Sequence, residues 1–144
     1  MLDVSAEIDI AASPADIAAV MFDPHRDQEW VAAVRTVEVM DPGIKPGARV
    51  RRTGSLLGHD VTWTTEVASF HFPHLLELRV VEGPFSGTVV YQVGRSPRGS
   101  VARIQHVGEL GGLNIAESMV AGPMRAAIAG DLERLKAIVE QTAR

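Results

Sequence analysis

The stretch PMRAAIAGDLERLKAIVE, residues 123–140, decides the fold. Met124, Ile128, Leu135, Ile138 and Val139 recur at helical spacing and form one apolar stripe, with Leu132 at its margin. Twenty residues of such a helix span about 30 Å, enough to cross a small sheet from edge to edge. Pro123 follows Gly122 and marks a kink or a restart, because proline lacks the backbone donor a helix interior uses. Asp131 falls within the apolar stripe rather than opposite it, and a carboxylate there must be paired or wet.

The chain before this helix reads mainly as strands. Residues 3 to 10 alternate, with Val4, Ala6, Ile8 and Ile10 on one side and Asp3, Ser5, Glu7 and Asp9 on the other. Ser13-Pro14 is an N-cap followed by a first-turn proline, and it predicts a short helix to about Phe22. Asp23-Pro24 restarts the chain as a second short helix ending near Trp30. A strand over Val34 to Met40 follows, ended by the turn chemistry of Asp41-Pro42-Gly43.

Residues 48 to 70 read as a hairpin with Leu57-Gly58 at its tip. A two-residue loop there pairs Leu56 with His59, Gly54 with Val61, Arg52 with Trp63 and Val50 with Thr65, all eight sharing one face. Leu76, Leu78 and Val80 then oppose Glu77, Arg79 and Val81, with Pro73 opening that strand and Gly83-Pro84 breaking it. Phe85, Gly87, Val89, Tyr91 and Val93 share one parity of the next strand, and Ser96 to Gly99 is a polar turn. The last strand carries Ala102, Ile104, His106, Gly108 and Leu110 on one side, before the Gly111-Gly112 break. Strands joined in sequence by short turns are antiparallel neighbours. The expected fold is therefore α+β: a seven-stranded curved antiparallel sheet wrapped around the C-terminal helix, with two short helices after the first strand. A strongly twisted sheet contacts such a helix closely at one end and gaps at the other, which leaves a pocket.

Composition narrows the function classes. The length of 144 residues suits one domain, and no repeat or linker interrupts residues 1–144. A net charge of -4 offers no electrostatic footprint for nucleic acid; Arg49, Arg51 and Arg52 form the one basic cluster, and Arg49 and Arg51 read as the solvent side of a strand. The absence of cysteine removes disulfides, thiolate nucleophiles and cysteine zinc sites together. With no export signal read at the N-terminus and no apolar run of transmembrane length, a cytoplasmic location is expected, without an integral membrane segment. An edge strand or an exposed helix face could support a weak homodimer.

Several segments stand out together: Ile10-Ala-Ala-Ser-Pro14 leading into Ile17, Phe22-Asp23-Pro24 through Trp30, Gly47-Ala-Arg49, and Trp63-Thr-Thr-Glu-Val67. Gly83-Pro-Phe85 with Gly87, and Leu132-Glu-Arg-Leu135-Lys136 ending at Glu140, complete the set. In this order they resemble the START-like superfamily, also called SRPBCC, and within it the polyketide cyclase/dehydrase and lipid-transport-like proteins. The resemblance covers nearly the whole chain and implies a helix-grip fold, a cup for a small hydrophobic ligand such as a lipid, polyketide or aromatic. It does not by itself imply catalysis, since only some members of the superfamily are enzymes.

No nucleophile elbow, zinc-binding HExxH, phosphate loop or dinucleotide glycine motif is present. His71-Phe-Pro-His74 lacks a nearby carboxylate to complete a metal set, so neither a metal nor an obligatory cofactor is expected. The charged run Asp23-Pro-His25-Arg26-Asp27 reads as a solvated helix start. Arg52 and Asp131 are candidate polar groups of the pocket, paired directly or through ligand or water; the alternative is a bulge that turns Arg52 outward and a wet helix edge at Asp131. His106 is either a satisfied core histidine or a group that orients a ligand, and the Tyr91 hydroxyl could reach the cavity. The candidate lining comprises Trp30, Arg52, His59, Trp63, Leu78, Phe85, Val89, Tyr91, Ile104, His106, Met119, Met124, Ile128 and Asp131, with Met119 and Met124 at a deformable mouth.

Three functions fit. A carrier of a hydrophobic metabolite needs a cavity and no acid–base pair. A cyclase or dehydratase needs His106, Tyr91, Arg52 or Asp131 to move protons inside the cup. An interaction module that docks partners on the concave sheet needs an exposed apolar patch and little internal volume.

Overall fold

Alternating side chains make β1 (Leu2–Ile10) a strand with Leu2, Val4 and Ile10 buried. The computed structural model describes residues 1–56, 58–111 and 116–142, so Leu57 of the hairpin tip and Gly112 of the glycine pair lie outside the described residues. α1 (Pro14–Met21) starts where the Ser13 Oγ accepts the Asp16 N–H at 3.2 Å, and Pro14 fills its first turn. The Asp23 carboxylate caps a 3-10 turn (Pro24–Arg26), which runs straight into the single-turn helix α2 (Asp27–Trp30).

The remaining strands are β2 (Val34–Val39), β3 (Arg49–Leu56), β4 (His59–His71), β5 (Leu75–Glu82), β6 (Ser86–Ser96) and β7 (Gly99–Glu109). The sheet order is β1-β7-β6-β5-β4-β3-β2, and every neighbouring pair is antiparallel. The meander from β2 to β7 is thus sequential, and β1 closes onto the last strand. The β3–β4 register pairs Val50 with Thr65, Arg52 with Trp63, Gly54 with Val61 and Leu56 with His59, as the two-residue turn requires. Register shifts at Thr64/Thr65 and Val67/Ser69 in β4, and at Val34/Thr36 in β2, bend these strands so that the sheet curls.

The long helix is α3 (Ala121–Thr142), preceded by a 3-10 turn (Glu117–Met119). Pro123 sits in its first turn, where backbone N–H groups have no intrahelical partner, so the proline opens the helix and does not kink it. Met124, Ile128, Leu132, Leu135 and Val139 are the buried stripe. Leu132 is its centre, not its margin, while Ile138 is only partly buried. The C-terminal half of α3 is tied down: the Lys136 Nζ donates to the Asp9 carbonyl at 2.9 Å, and the Glu140 carboxylate accepts the Ala11 N–H at 2.8 Å. Midway, the Arg134 Nε donates to the Trp30 carbonyl at 3.0 Å. The N-terminal half stands off the sheet over a hollow, so the grip is tight at one end and open at the other.

Candidate functional site

The hollow is a cavity of about 450 Å³ between the sheet and the N-terminal half of α3. Its wall is assembled from distant parts of the chain because the curl of the sheet turns one face of β3 to β7 inward. Val31 to Val34, after α2, close one side; Met124, Ala127, Ile128 and Asp131 of α3 form the roof; Leu78, Val89 and Ile104 form an aliphatic floor. Trp63 meets Phe85 at 6.0 Å between ring centroids, and Trp30 meets Tyr91 at 5.8 Å, so aromatic pairs stiffen two walls.

Arg52 points inward, 6 % exposed, as the hairpin register requires. Its Nε donates to the Asp27 Oδ2 at 2.6 Å and its Nη1 to the Thr65 Oγ1 at 2.7 Å. Asp27 is 2 % exposed, which corrects the reading of residues 23 to 27 as a wholly solvated helix start. Burial pushes the Asp27 carboxyl up, against the pull of the Arg52 guanidinium. An always-protonated buried guanidinium with a carboxylate oxygen at this distance is a charge-assisted pair.

Asp131 lines the cavity but does not bond to Arg52. Its Oδ1 accepts the Ala32 N–H at 3.1 Å and the Arg134 guanidinium, which leaves its carboxyl pushed up chiefly by burial. Arg52 and Asp131 are thus separate polar groups of one cavity, each with its own partner.

Trp30, Tyr91 and His106 each bring to the cavity a neutral group with no hydrogen-bond partner among the described residues. The first is the Trp30 Nε1–H, which is buried. The second is the Tyr91 hydroxyl, whose pKa burial raises, with Asp27 adding to the effect. The third is His106, which is enclosed by protein and presents its remaining surface to the cavity. Burial alone lowers the His106 pKa from 6.5 to about 4, so the ring is neutral at physiological pH. It is not a satisfied core histidine. In the β6–β7 register Tyr91 faces Ile104 and Val89 faces His106, which places the two unpaired side chains diagonally on one inward face.

Twelve of the anticipated lining residues lie around the cavity, and two do not. His59 is exposed at the hairpin tip and is not part of the cavity wall. Met119, 74 % exposed, sits on the 3-10 turn before α3 and faces away from the hollow; Met124 alone of that pair lines it. Sequence reasoning missed Asp27, Thr65 and the Val31–Val34 segment. The inward register of Val50 and Thr65 was available as a signal for Thr65, but nothing in the four residues of α2 marks Asp27 as buried. His74 is engaged elsewhere, its Nδ1–H donating to the Val93 carbonyl at 2.8 Å.

Comparison with known proteins agrees with this architecture. Protein TTHA0849 of Thermus thermophilus superposes with a TM-score of 0.81 at 20 % identity, covering 99 % of each chain. DR_A0006 of Deinococcus radiodurans gives 0.75 at 18 % identity, again with 99 % of each chain covered. XoxI of Bacillus cereus gives 0.77 at 10 % identity, with 100 % of this chain and 99 % of that one covered. These likenesses establish the fold. No curated protein sequence matches the chain. Among the described residues no helix is long and apolar enough to cross a membrane. The family described as polyketide cyclase/dehydrase and lipid transport matches residues 1–140, and the chain, with its helix-grip fold, belongs to that family.

Proposed function

We propose that this protein binds and carries a small, largely apolar molecule in the hollow under the N-terminal half of α3, the whole of residues 1–144 acting as one ligand-binding domain. The observation that carries the reading is the cavity itself: about 450 Å³, walled mainly by aliphatic and aromatic side chains, with a few polar groups set among them. Burial of apolar guest surface provides the affinity, and the unpaired Tyr91, Trp30 and His106 groups orient the guest. The family supports a ligand-binding role. A working place in the cytoplasm suits a chain without cysteine.

A cyclase or dehydratase is the second reading, favoured by two unpaired, chemistry-capable side chains on one inward face. The electrostatics argue for the carrier. A general acid or base works best with a pKa near the operating pH, and burial moves His106 down to about 4 while it moves Tyr91 up. Titration with the fluorescent naphthylamine N-phenyl-1-naphthylamine tests the carrier. Saturable binding is expected, and Val89→Trp, which fills the floor of the hollow, is expected to weaken it by at least about tenfold while the circular dichroism spectrum is retained. Undiminished binding to the filled variant would remove the cavity as the site. For a substrate that is turned over, His106→Ala separates the two readings: an enzyme using this ring loses turnover and keeps binding.

A further inference from the structure

We infer that the cavity selects an uncharged guest over a carboxylate or sulfonate, and that Asp27 sets this preference by occupying the charge of Arg52. The inference rests on the binding role proposed above and specifies its ligand class. Arg52 is the sole Lys or Arg side chain in the described cavity wall. Its charge is already balanced, because the Nε holds the Asp27 Oδ2 at 2.6 Å, while the Nη1 holds the Thr65 Oγ1 at 2.7 Å. Both members of the pair are almost wholly enclosed, so separating them costs far more than it would on the surface.

A second carboxylate, Asp131, lies in the same wall, bound to the Ala32 N–H and to Arg134. A guest carboxylate entering the hollow therefore meets a neutralised guanidinium on one wall and an acidic residue on another. It must displace Asp27 or crowd beside it on a cation whose charge is already balanced, and both are costly in an apolar enclosure. The groups left without partners have the opposite character. The Trp30 indole N–H, the Tyr91 hydroxyl and the His106 ring are neutral hydrogen-bonding groups, suited to carbonyl or hydroxyl oxygens on an apolar frame. A neutral oxygenated molecule satisfies them with no ion to desolvate. A free fatty acid does not.

The test uses the full chain and two probes of one skeleton, neutral N-phenyl-1-naphthylamine and the anion 8-anilinonaphthalene-1-sulfonate. The wild-type protein is expected to bind the neutral probe at least about tenfold more tightly, with the anion displaced by it from the same site. Asp27→Asn frees the guanidinium, and the ratio of the two dissociation constants should move toward the anion by about tenfold or more. The double variant Asp27→Asn/Arg52→Gln removes both charges and should restore the preference for the neutral probe. The ratio is read within one protein sample, so a partly destabilised variant still reports it. Equal or tighter binding of the sulfonate by the wild type overturns the inference, whatever the variants do. So does an unchanged ratio in folded Asp27→Asn. Failure of both probes to bind the wild type overturns the carrier reading itself, a separate result.

Discussion

Asp27 of α2 and Arg52 of β3 meet at 2.6 Å in the interior, and this one contact fastens a single-turn helix to the inward face of the sheet. Four residues cannot hold a helix by backbone bonds alone, so α2 depends on Trp30, on the 3-10 turn before it and on this ion pair. Removing one partner strands the other charge out of water. Asp27→Ala or Arg52→Ala is expected to lower stability by about 3–5 kcal/mol, whereas Asp27→Leu with Arg52→Met should fall much closer to wild type. Urea unfolding of the three variants decides it; equal losses in the single and double variants would mean that the pair acts through packing and not charge.

His106 gives the fold a definite response to acid. Its folded-state pKa is about 4 against 6.5 for an ordinary histidine, so the unfolded chain binds the proton more readily. The neutral ring's contribution is whole above pH 6.5 and drains away as pH falls toward 4, by up to roughly 3 kcal/mol. Asp27 and Asp131, with raised pKa values, act with the opposite sign, since the folded state takes up their protons sooner. The difference between wild type and His106→Leu isolates the histidine. Between pH 7 and 4.5 the variant should gain steadily on the wild type in urea midpoint, and parallel curves would show the ring to be well hydrated.

Gly54 is required by a backbone neighbour. A Cβ there would lie 1.7 Å from the Ala33 carbonyl oxygen, in the segment that closes one side of the cavity. No rotamer can relieve a clash with main chain. Gly54→Ala should cost about 1–3 kcal/mol and also change probe affinity, because the Val31–Val34 wall must shift. Gly94→Ala is the control: nothing lies within 4 Å of its Cβ position, and both stability and binding should hold. Thermal melts and probe titrations on the same samples measure the two effects.

The two halves of α3 should answer differently to truncation. Leu135 is completely buried in the close-packed half, and Leu135→Ala should cost about 2–5 kcal/mol through lost transfer energy and a new void. Ile128 abuts a hollow that already exists, so Ile128→Ala enlarges that space and should forfeit mainly the transfer term, about 1.5–3 kcal/mol. The enlarged cavity should also accept bulkier probes, which a titration series of naphthylamines would register.

Much of the architecture was legible because period and turn chemistry are local. Strand alternation, the Ser13-Pro14 cap and the short β3–β4 turn together set the register, and the register alone turned Arg52 inward. What failed was whatever depends on the far side of the cup. Asp27 sits among charges that look solvated, and its burial is decided by a guanidinium 25 residues away. His59 shares the parity of Arg52 and Leu56, yet parity states only which face a residue takes, and His59 stays exposed at the end of the hairpin. Met119 lies near the proline break with Met124, yet α3 starts at Ala121 and the preceding turn projects Met119 outward. Leu132 is central because α3 packs against β1 and also against α1 and α2, which widens the buried face beyond a narrow stripe.

The strand order has a further result for synthesis. Among the described residues β1 pairs only with β7, so β1, made before the rest of this sheet, waits for β7 before it gains a hydrogen-bonded neighbour. Until about residue 109 has been made, Leu2, Val4 and Ile10 have no sheet to join, and the nascent meander keeps its β6 edge open for β7. Closure of the cup is thus a late, long-range event, and the aggregation-exposed stage of this chain's life falls between translation of its first strand and its seventh.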